Sequence, residues 1–184
     1  MWWGDLARVI RPVAAMMLAG LVAACFQPLY GERTVGGGSV VRDAMAAVDV
    51  EQIDAPKGTA LSRIAVVTRN ELVFDLQGGS GQAPPTHKLV VRLVPSKSTI
   101  ILDPITLRNE FESFGLDANY RMVEIVSGKT VVTGSAITRV TYNVPGQEQR
   151  FARERGLRDA EALAAKQIAE QIRSRLASYF VAGT

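Results

Sequence analysis

Tyr120-Arg121-Met122-Val123-Glu124-Ile125-Val126-Ser127-Gly128-Lys129-Thr130-Val131-Val132-Thr133 decides the fold. Two β-prone runs flank Ser127-Gly128-Lys129, which reads as a hairpin turn and therefore as an antiparallel sheet. The run before the turn extends back to Glu112 and alternates, with Leu116, Ala118, Tyr120 and Met122 on the buried side. The alternation breaks at Glu124, where the register stays open. The run after the turn extends to Asn143, rich in valine and threonine as strands are, and Val144-Pro145-Gly146 closes it.

Working outward, Lys88 to Val94 alternates as another strand, with Leu89, Val91 and Leu93 on one side. It is expected to resume at Ser98–Leu102 before a long loop marked by Asp103-Pro104 and Arg108-Asn109. Val48 to Ile53 reads as a short strand. After Pro56-Lys57-Gly58, Thr59 stands as an N-cap. Leu61, Ile64, Ala65, Leu72 and Leu76 then recur at helical spacing, with Thr68 filling the stripe and Gly78-Gly79 as the stop. The last segment, from about Glu148 to Phe180, carries a second stripe: Leu157, Ala160, Ala164, Ile168, Ile172, Leu176 and Tyr179. Arg158, Glu161, Lys166, Glu170, Arg173 and Arg175 are assigned to its wet faces, and Gly156 to a bend or to the true start of the helix.

The expected class is α+β: two amphipathic helices on one face of a four-stranded mixed sheet, in the order β-α-β-β-β-α. The other face of the sheet is expected to be exposed, with Arg92, Arg121, Thr133 and Arg139 on it.

The N-terminus has a different character. Arg8 and Arg11 precede an uncharged apolar run from Val13 to Ala24, and Leu21-Val22-Ala23-Ala24 leads into Cys25, the sole cysteine of the 184 residues. A basic start, a short apolar stretch and small residues at the cut are the layout of a secretory signal. The run falls short of the roughly 18–20 residues that span a bilayer, which disfavours a signal-anchor helix. A cysteine directly after the small pair resembles the lipobox of bacterial lipoproteins, in which the thiol is acylated and the mature chain begins at the cysteine. The competing reading is a buried structural cysteine. The expected organisation is a signal at 1–24, a lipidated flexible tether at 25–46 containing Gly36-Gly37-Gly38-Ser39, and a folded domain at 47–184. Phe26 is not the aspartate that retains such proteins in the inner membrane, so the resemblance implies the outer membrane, facing the periplasm.

Composition and motifs exclude several classes. The 21 basic and 18 acidic residues give a net charge of +3; without residues 1–24, which hold Arg8, Arg11 and Asp5, 19 basic and 17 acidic remain. That balance is too mild for a nucleic-acid protein with a clustered basic face. No Gly-x-Ser-x-Gly elbow occurs. His87, the lone histidine, has no second histidine to complete a metal site and is expected on a surface loop. Gly36-Gly37-Gly38 neither follows a strand nor precedes Lys-Ser/Thr, so it is no phosphate loop. Glu110 and Glu112 form a carboxylate pair capable in principle of acid/base work, but the usual state of such a pair is solvation. No catalytic residue, cofactor or metal is expected.

Cys25 followed by Phe26-Gln27-Pro28-Leu29-Tyr30-Gly31 resembles the lipopolysaccharide-assembly lipoprotein family (LptE-like), in its alphaproteobacterial form. The run Thr68-Arg69-Asn70-Glu71-Leu72 with Leu76 resembles the family's first helix. The run from Arg158-Asp159-Ala160-Glu161-Ala162 through Ile168-Ala169-Glu170-Gln171-Ile172 to Arg175-Leu176-Ala177-Ser178-Tyr179-Phe180 resembles its last. The resemblance implies a non-enzymatic, lipid-anchored plug inside an outer-membrane β-barrel (LptD-like), which helps that barrel assemble and insert lipopolysaccharide into the outer leaflet. A barrel lumen is polar, which suits a plug of mixed polar surface. Lipopolysaccharide phosphates are natural partners for Arg and Lys; the candidates are Lys97 and Arg108 in the loop region and Arg92, Arg121 and Arg139 on the sheet. The alternative expectation is a periplasmic lipoprotein that binds a ligand or serves a lipid transporter, which requires a concave apolar pocket.

Overall fold

Alternation of apolar and polar residues sets the sheet. The computed structural model describes residues 38–78, 84–100, 111–144 and 150–182, and from Val40 onward the chain forms one compact unit. Its elements are α1 (Gly38–Ala46), β1 (Val48–Val50), α2 (Ala60–Gln77), β2 (His87–Ile100), β3 (Phe111–Glu124), β4 (Thr130–Asn143) and α3 (Arg150–Ala182). The sheet order is β1-β2-β3-β4. β1 runs parallel to β2, while β2–β3 and β3–β4 are antiparallel. The expected mixed four-stranded α+β architecture is what the chain adopts.

The first correction concerns the tether. Gly38–Ala46 is not linker but helix α1, which buries Val41 and Met45 four residues apart on one face. The folded part thus begins ahead of Ala47, and the element order of the described residues is α-β-α-β-β-β-α. The signal, Cys25 and the rest of the expected tether lie outside the described residues.

α2 follows the sequence closely. Thr59 accepts the Ser62 N–H at its start, and Gly78 ends it in the left-handed conformation at φ 60. Ile64, Ala65, Thr68, Leu72 and Leu76 are buried; the Thr68 hydroxyl donates to the Ile64 carbonyl, so its polarity is met inside the stripe.

α2 and α3 both run opposite to β2 and β4, and so parallel to each other. At 1.5 Å per residue, α3 spans about 50 Å and α2 about 27 Å, against about 46 Å for a 14-residue strand. α3 therefore covers β3 and β4 end to end, while α2 covers β1 and only the first half of β2. The core lies between the helices and one face of the sheet: Leu89, Val91 and Leu93 of β2, Phe114, Leu116, Ala118, Tyr120 and Met122 of β3, and Ala164, Ile168, Ile172 and Leu176 of α3. Beyond Leu93 neither α2 nor α3 overlies β2 among the described residues, and Pro95, Lys97 and Thr99 are exposed on the helix side.

β2 does not break and resume but continues through Pro95 to Ile100. The Leu89 carbonyl accepts from Glu51 N–H on the β1 side. By two-residue alternation the backbone groups of Pro95 face that same side, where its missing N–H costs no ladder bond.

The turn also differs. β3 stops at Glu124, not Val126, after a register shift at Met122/Val123, the point where the alternation breaks. Glu124 N–H donates to the Lys129 carbonyl and Gly128 N–H to the Glu124 carbonyl, with Gly128 at φ 67. Ile125 and Val126 are thereby turned out of the sheet.

Two charged residues depart from their expected places. Glu161 is buried rather than wet, because Arg63 on α2 donates to it at 3.2 Å. Glu112 is buried on the covered face, where Tyr142 and Arg153 both donate to its carboxylate; its expected partner Glu110 lies outside the described residues. Gly156 does not mark the start of the helix, which is continuous from Arg150. A Cβ there would make ordinary contact with the Asn143 carbonyl oxygen at 3.4 Å, where α3 passes the end of β4.

Candidate functional site

The helix-free face of the sheet collects most of the basic residues singled out by the sequence. Arg92, Arg121 and Arg139 stand on it and are exposed. In β2–β3 register Arg92 faces Asn119 and Arg121 faces Val90, so the two arginines are diagonal neighbours across one strand pair. Among the described residues neither has a hydrogen bond or ion pair. Asn119, Thr133 and Ser135 supply neutral polar groups alongside, while Val94 and Ile137 add exposed aliphatic surface.

Arg139 is differently placed. It crosses the surface of Gly115, where a Cβ would stand 2.9 Å from its Cδ and Cζ. Its Nη1 donates to Asp117 Oδ1 at 2.6 Å and to the Thr138 carbonyl at 2.8 Å. The Asp117 hydrogen bond pushes the guanidinium pKa up, and the same carboxylate answers its charge. Arg139 is thus a paired cation, and Arg92 with Arg121 is the patch open to an outside anion.

Lys97 does not join them. It lies on the opposite side of β2, on the uncovered helix-side stretch. Arg108 and Cys25 lie outside the described residues.

The covered face holds a polar network. Burial, then the hydrogen bond to Glu112, drives the Tyr142 phenol pKa well above its ordinary value. Arg63–Glu161 and Arg153–Glu112 tie the first half of α3 to α2 and β3. These groups are occupied with one another, and solvation at Glu112 gives way to burial. Strand alternation predicts a side for Glu112, but the arginine and tyrosine that meet it there come from distant elements.

A shallow groove of about 510 Å³ runs along α3, lined by Gln167, Glu170, Gln171, Ser174, Arg175 and Ser178. It is lined by polar and charged residues and is open, unlike the concave apolar pocket that a ligand-carrying lipoprotein needs. Gln171 reaches from this helix to the edge strand: its amide accepts the Ile137 N–H at 3.3 Å and donates to the Ile137 carbonyl at 3.2 Å. Gln167 accepts from the Thr138 hydroxyl. Sequence reasoning misses both contacts, since glutamine on a wet helix face carries no signal of them.

His87 is not in a loop. It opens β2, half-buried, with Phe180 packed edge-on at 5.5 Å and the Thr86 hydroxyl 2.8 Å from Nδ1. No group of metal-ligating side chains occurs among the described residues, and no helix among them is long and apolar enough to cross a membrane.

One sheet with a helical layer on one face and a basic, mixed-polarity opposite face defines a small α+β domain. No family model and no curated protein sequence matches this chain. Solved structures share the fold. A candidate lipoprotein of Caulobacter crescentus superposes with a TM-score of 0.59 at 18% identity, over 78% of this chain and 97% of that one. Rare lipoprotein B of Shewanella oneidensis gives 0.51 at 17%, over 73% and 96%. A candidate neuraminyllactose-binding hemagglutinin homologue of Helicobacter pylori gives 0.50 at 11%, over 74% and 87%. At these identities the likeness is one of fold, and the different descriptions show that the fold alone does not specify a function.

Proposed function

We propose that this chain is a lipid-anchored lipoprotein of the outer membrane, facing the periplasm, that plugs a β-barrel lipopolysaccharide translocon and helps it assemble. It performs no chemistry of its own. The observation that carries this is a combination: Cys25 stands directly after Leu21-Val22-Ala23-Ala24, in a chain whose domain shares its fold with bacterial lipoproteins over nearly their whole length. The resemblance of residues 25–31 and of the two long helices to the lipopolysaccharide-assembly lipoproteins supplies the narrower part of the reading.

The helix-free face suits this role. Its arginines, amides, hydroxyls and scattered aliphatic side chains match a polar lumen wall better than a lipid tail or an apolar groove. Arg92 and Arg121 are the residues proposed to meet phosphate; a guanidinium fork matches its oxygens and neither side chain is engaged within the described part of the protein. Arg108 and Lys97 remain candidates of the same chemistry at other places.

The test is purification of the tagged protein from detergent-solubilised outer membranes, with its companions identified by mass spectrometry. A stoichiometric large outer-membrane barrel is the expected result. An inner-membrane transporter, or no companion at all, overturns the plug reading in favour of a ligand-binding or transporter-auxiliary lipoprotein.

A further inference from the structure

Several elements meet at the end of the sheet where β2 begins. Thr86 N–H donates to the Ala47 carbonyl at 2.9 Å, and Ala47 N–H donates back to the Asp43 carbonyl in α1. Ile125 N–H donates to the Thr86 carbonyl at 3.0 Å. Phe180 of α3 packs on His87 beside them. The end of α1, the β3–β4 turn and the end of α3 therefore share one end of the domain.

That end projects aliphatic side chains into solvent. Val126 is 94% exposed at the tip of the turn, Ile125 beside it 49%, and Val181 near the end of α3 55%. Turns are ordinarily built from Gly, Pro, Asn, Asp and Ser, and two adjacent aliphatics at a turn tip gain nothing for the fold. Asp43 of α1 is also at this end. Lys129 is exposed next to the tip, and the Glu124 carboxylate accepts the Ser127 hydroxyl inside the turn at 2.6 Å. Lys88, on the adjoining strand, is tied to Glu51 at 3.1 Å.

The chain enters the domain through α1. Twelve residues separate Cys25 from Gly38, and a fully extended segment of that length reaches at most about 45 Å. An acylated Cys25 thus holds the domain within its own length of the bilayer.

We infer that this end is a membrane-contacting tip: Ile125 and Val126, assisted by Val181, enter the interfacial layer of the bilayer that anchors the chain, with Lys129 at the headgroups. The inference rests on the reading of Cys25 as the lipidated residue, and it places this end of the domain outside the barrel lumen. Aliphatic side chains standing on two separate protrusions suit a fluid lipid surface. A protein partner would instead call for a central anchor set in a well-packed patch. The tip adds to the anchor and fixes the domain's orientation on it, since acyl chains alone leave the attached domain free to rotate.

Tryptophan occurs only at positions 2 and 3, so a chain processed at Cys25 has none, and Val126→Trp introduces a single reporter. The full-length variant is produced in cells, purified from membranes, weighed by mass spectrometry and reconstituted in vesicles of phosphatidylethanolamine and phosphatidylglycerol. Ile137→Trp, on the helix-free face, serves as the control. The expected result is blue-shifted indole emission from the Val126→Trp protein that is lost when the acyl chains carry bromine, with emission from the Ile137→Trp protein unaffected. Water-like, unquenched emission from Val126→Trp in a protein of acylated mass overturns the tip and leaves the Cys25 reading standing. A blue shift without quenching overturns it in favour of contact with a second copy of the chain. A mass without acyl chains overturns both.

Discussion

Tyr142 shows how one side chain ties several elements together. Its phenol donates to the buried Glu112 carboxylate, which also takes a hydrogen bond from Arg153. Tyr142→Phe removes a hydrogen bond to a charged group and should cost about 1.5–3 kcal/mol at neutral pH, measured by urea unfolding. The pH dependence has a definite sign. The folded-state pKa of this tyrosine is raised above the unfolded value near 10, so its contribution is intact below pH 10. It is lost as pH climbs further, because only the unfolded chain can then ionise. Wild-type stability should therefore fall above pH 10, and more steeply than that of Tyr142→Phe. Gly134 makes a second point at this scale. A Cβ there would stand 2.5 Å from Tyr120 Oη and 2.7 Å from Cζ, so the ring, which is buried, must shift. Gly134→Ala should destabilise by about 1–3 kcal/mol, with a thermal melt as the check. Neither effect is legible in the sequence, where Gly134 is a glycine in a strand and Glu112 an acid in an alternating run.

The long helix α3 is held by small residues. Ala160, Ala164, Ala165, Ala169 and Ala177 are buried along with Ile168, Ile172 and Leu176, so the helix backbone lies close to β3 and β4. Ala164, like Ala165, Ala169 and Ala177, has no exposed surface, so added bulk there meets packed neighbours. Ala164→Leu should cost about 1–3 kcal/mol or more through overpacking, read as a lowered urea midpoint. The stripe itself is plain in the sequence, as are the bounds of α2, because helical spacing and caps are local signals. α1 is hidden there. The glycines and serine at 36–39 carry a linker's composition, and a nine-residue helix offers only Val41 and Met45 as a pair. The continuation of β2 is hidden for a related reason: Pro95 is a strand breaker except at an edge, and only the pairing shows which side is the edge. Glu161 reads as a wet-face residue because its partner Arg63 is 98 residues away in sequence. The basic residues on the helix-free face are legible from alternation, but not the pairing that occupies Arg139 and leaves Arg92 and Arg121 open.

For the whole molecule, the proposed anchoring gives a direct expectation. Metabolic labelling with a palmitate analogue should mark the wild type and not Cys25→Ser, while the purified domain keeps its thermal melt. Equal labelling of both would sink the lipidation reading. The topology bears on that anchor in a mechanical way. β2, β3 and β4 form an antiparallel meander paired along their full lengths. β1 is joined to it by a parallel pairing of just three residues, Val48 to Val50, with Arg69 holding the Val50 carbonyl at 3.1 Å. A pull through the segment ahead of Gly38 arrives at α1 and β1 before it reaches anything else. Under the proposed anchoring, those few bonds are expected to yield at a lower force than the meander behind them, a fuse in series with the leash. Drag between membrane and domain would then be released at the entry strand while the sheet bearing Arg92 and Arg121 stays whole.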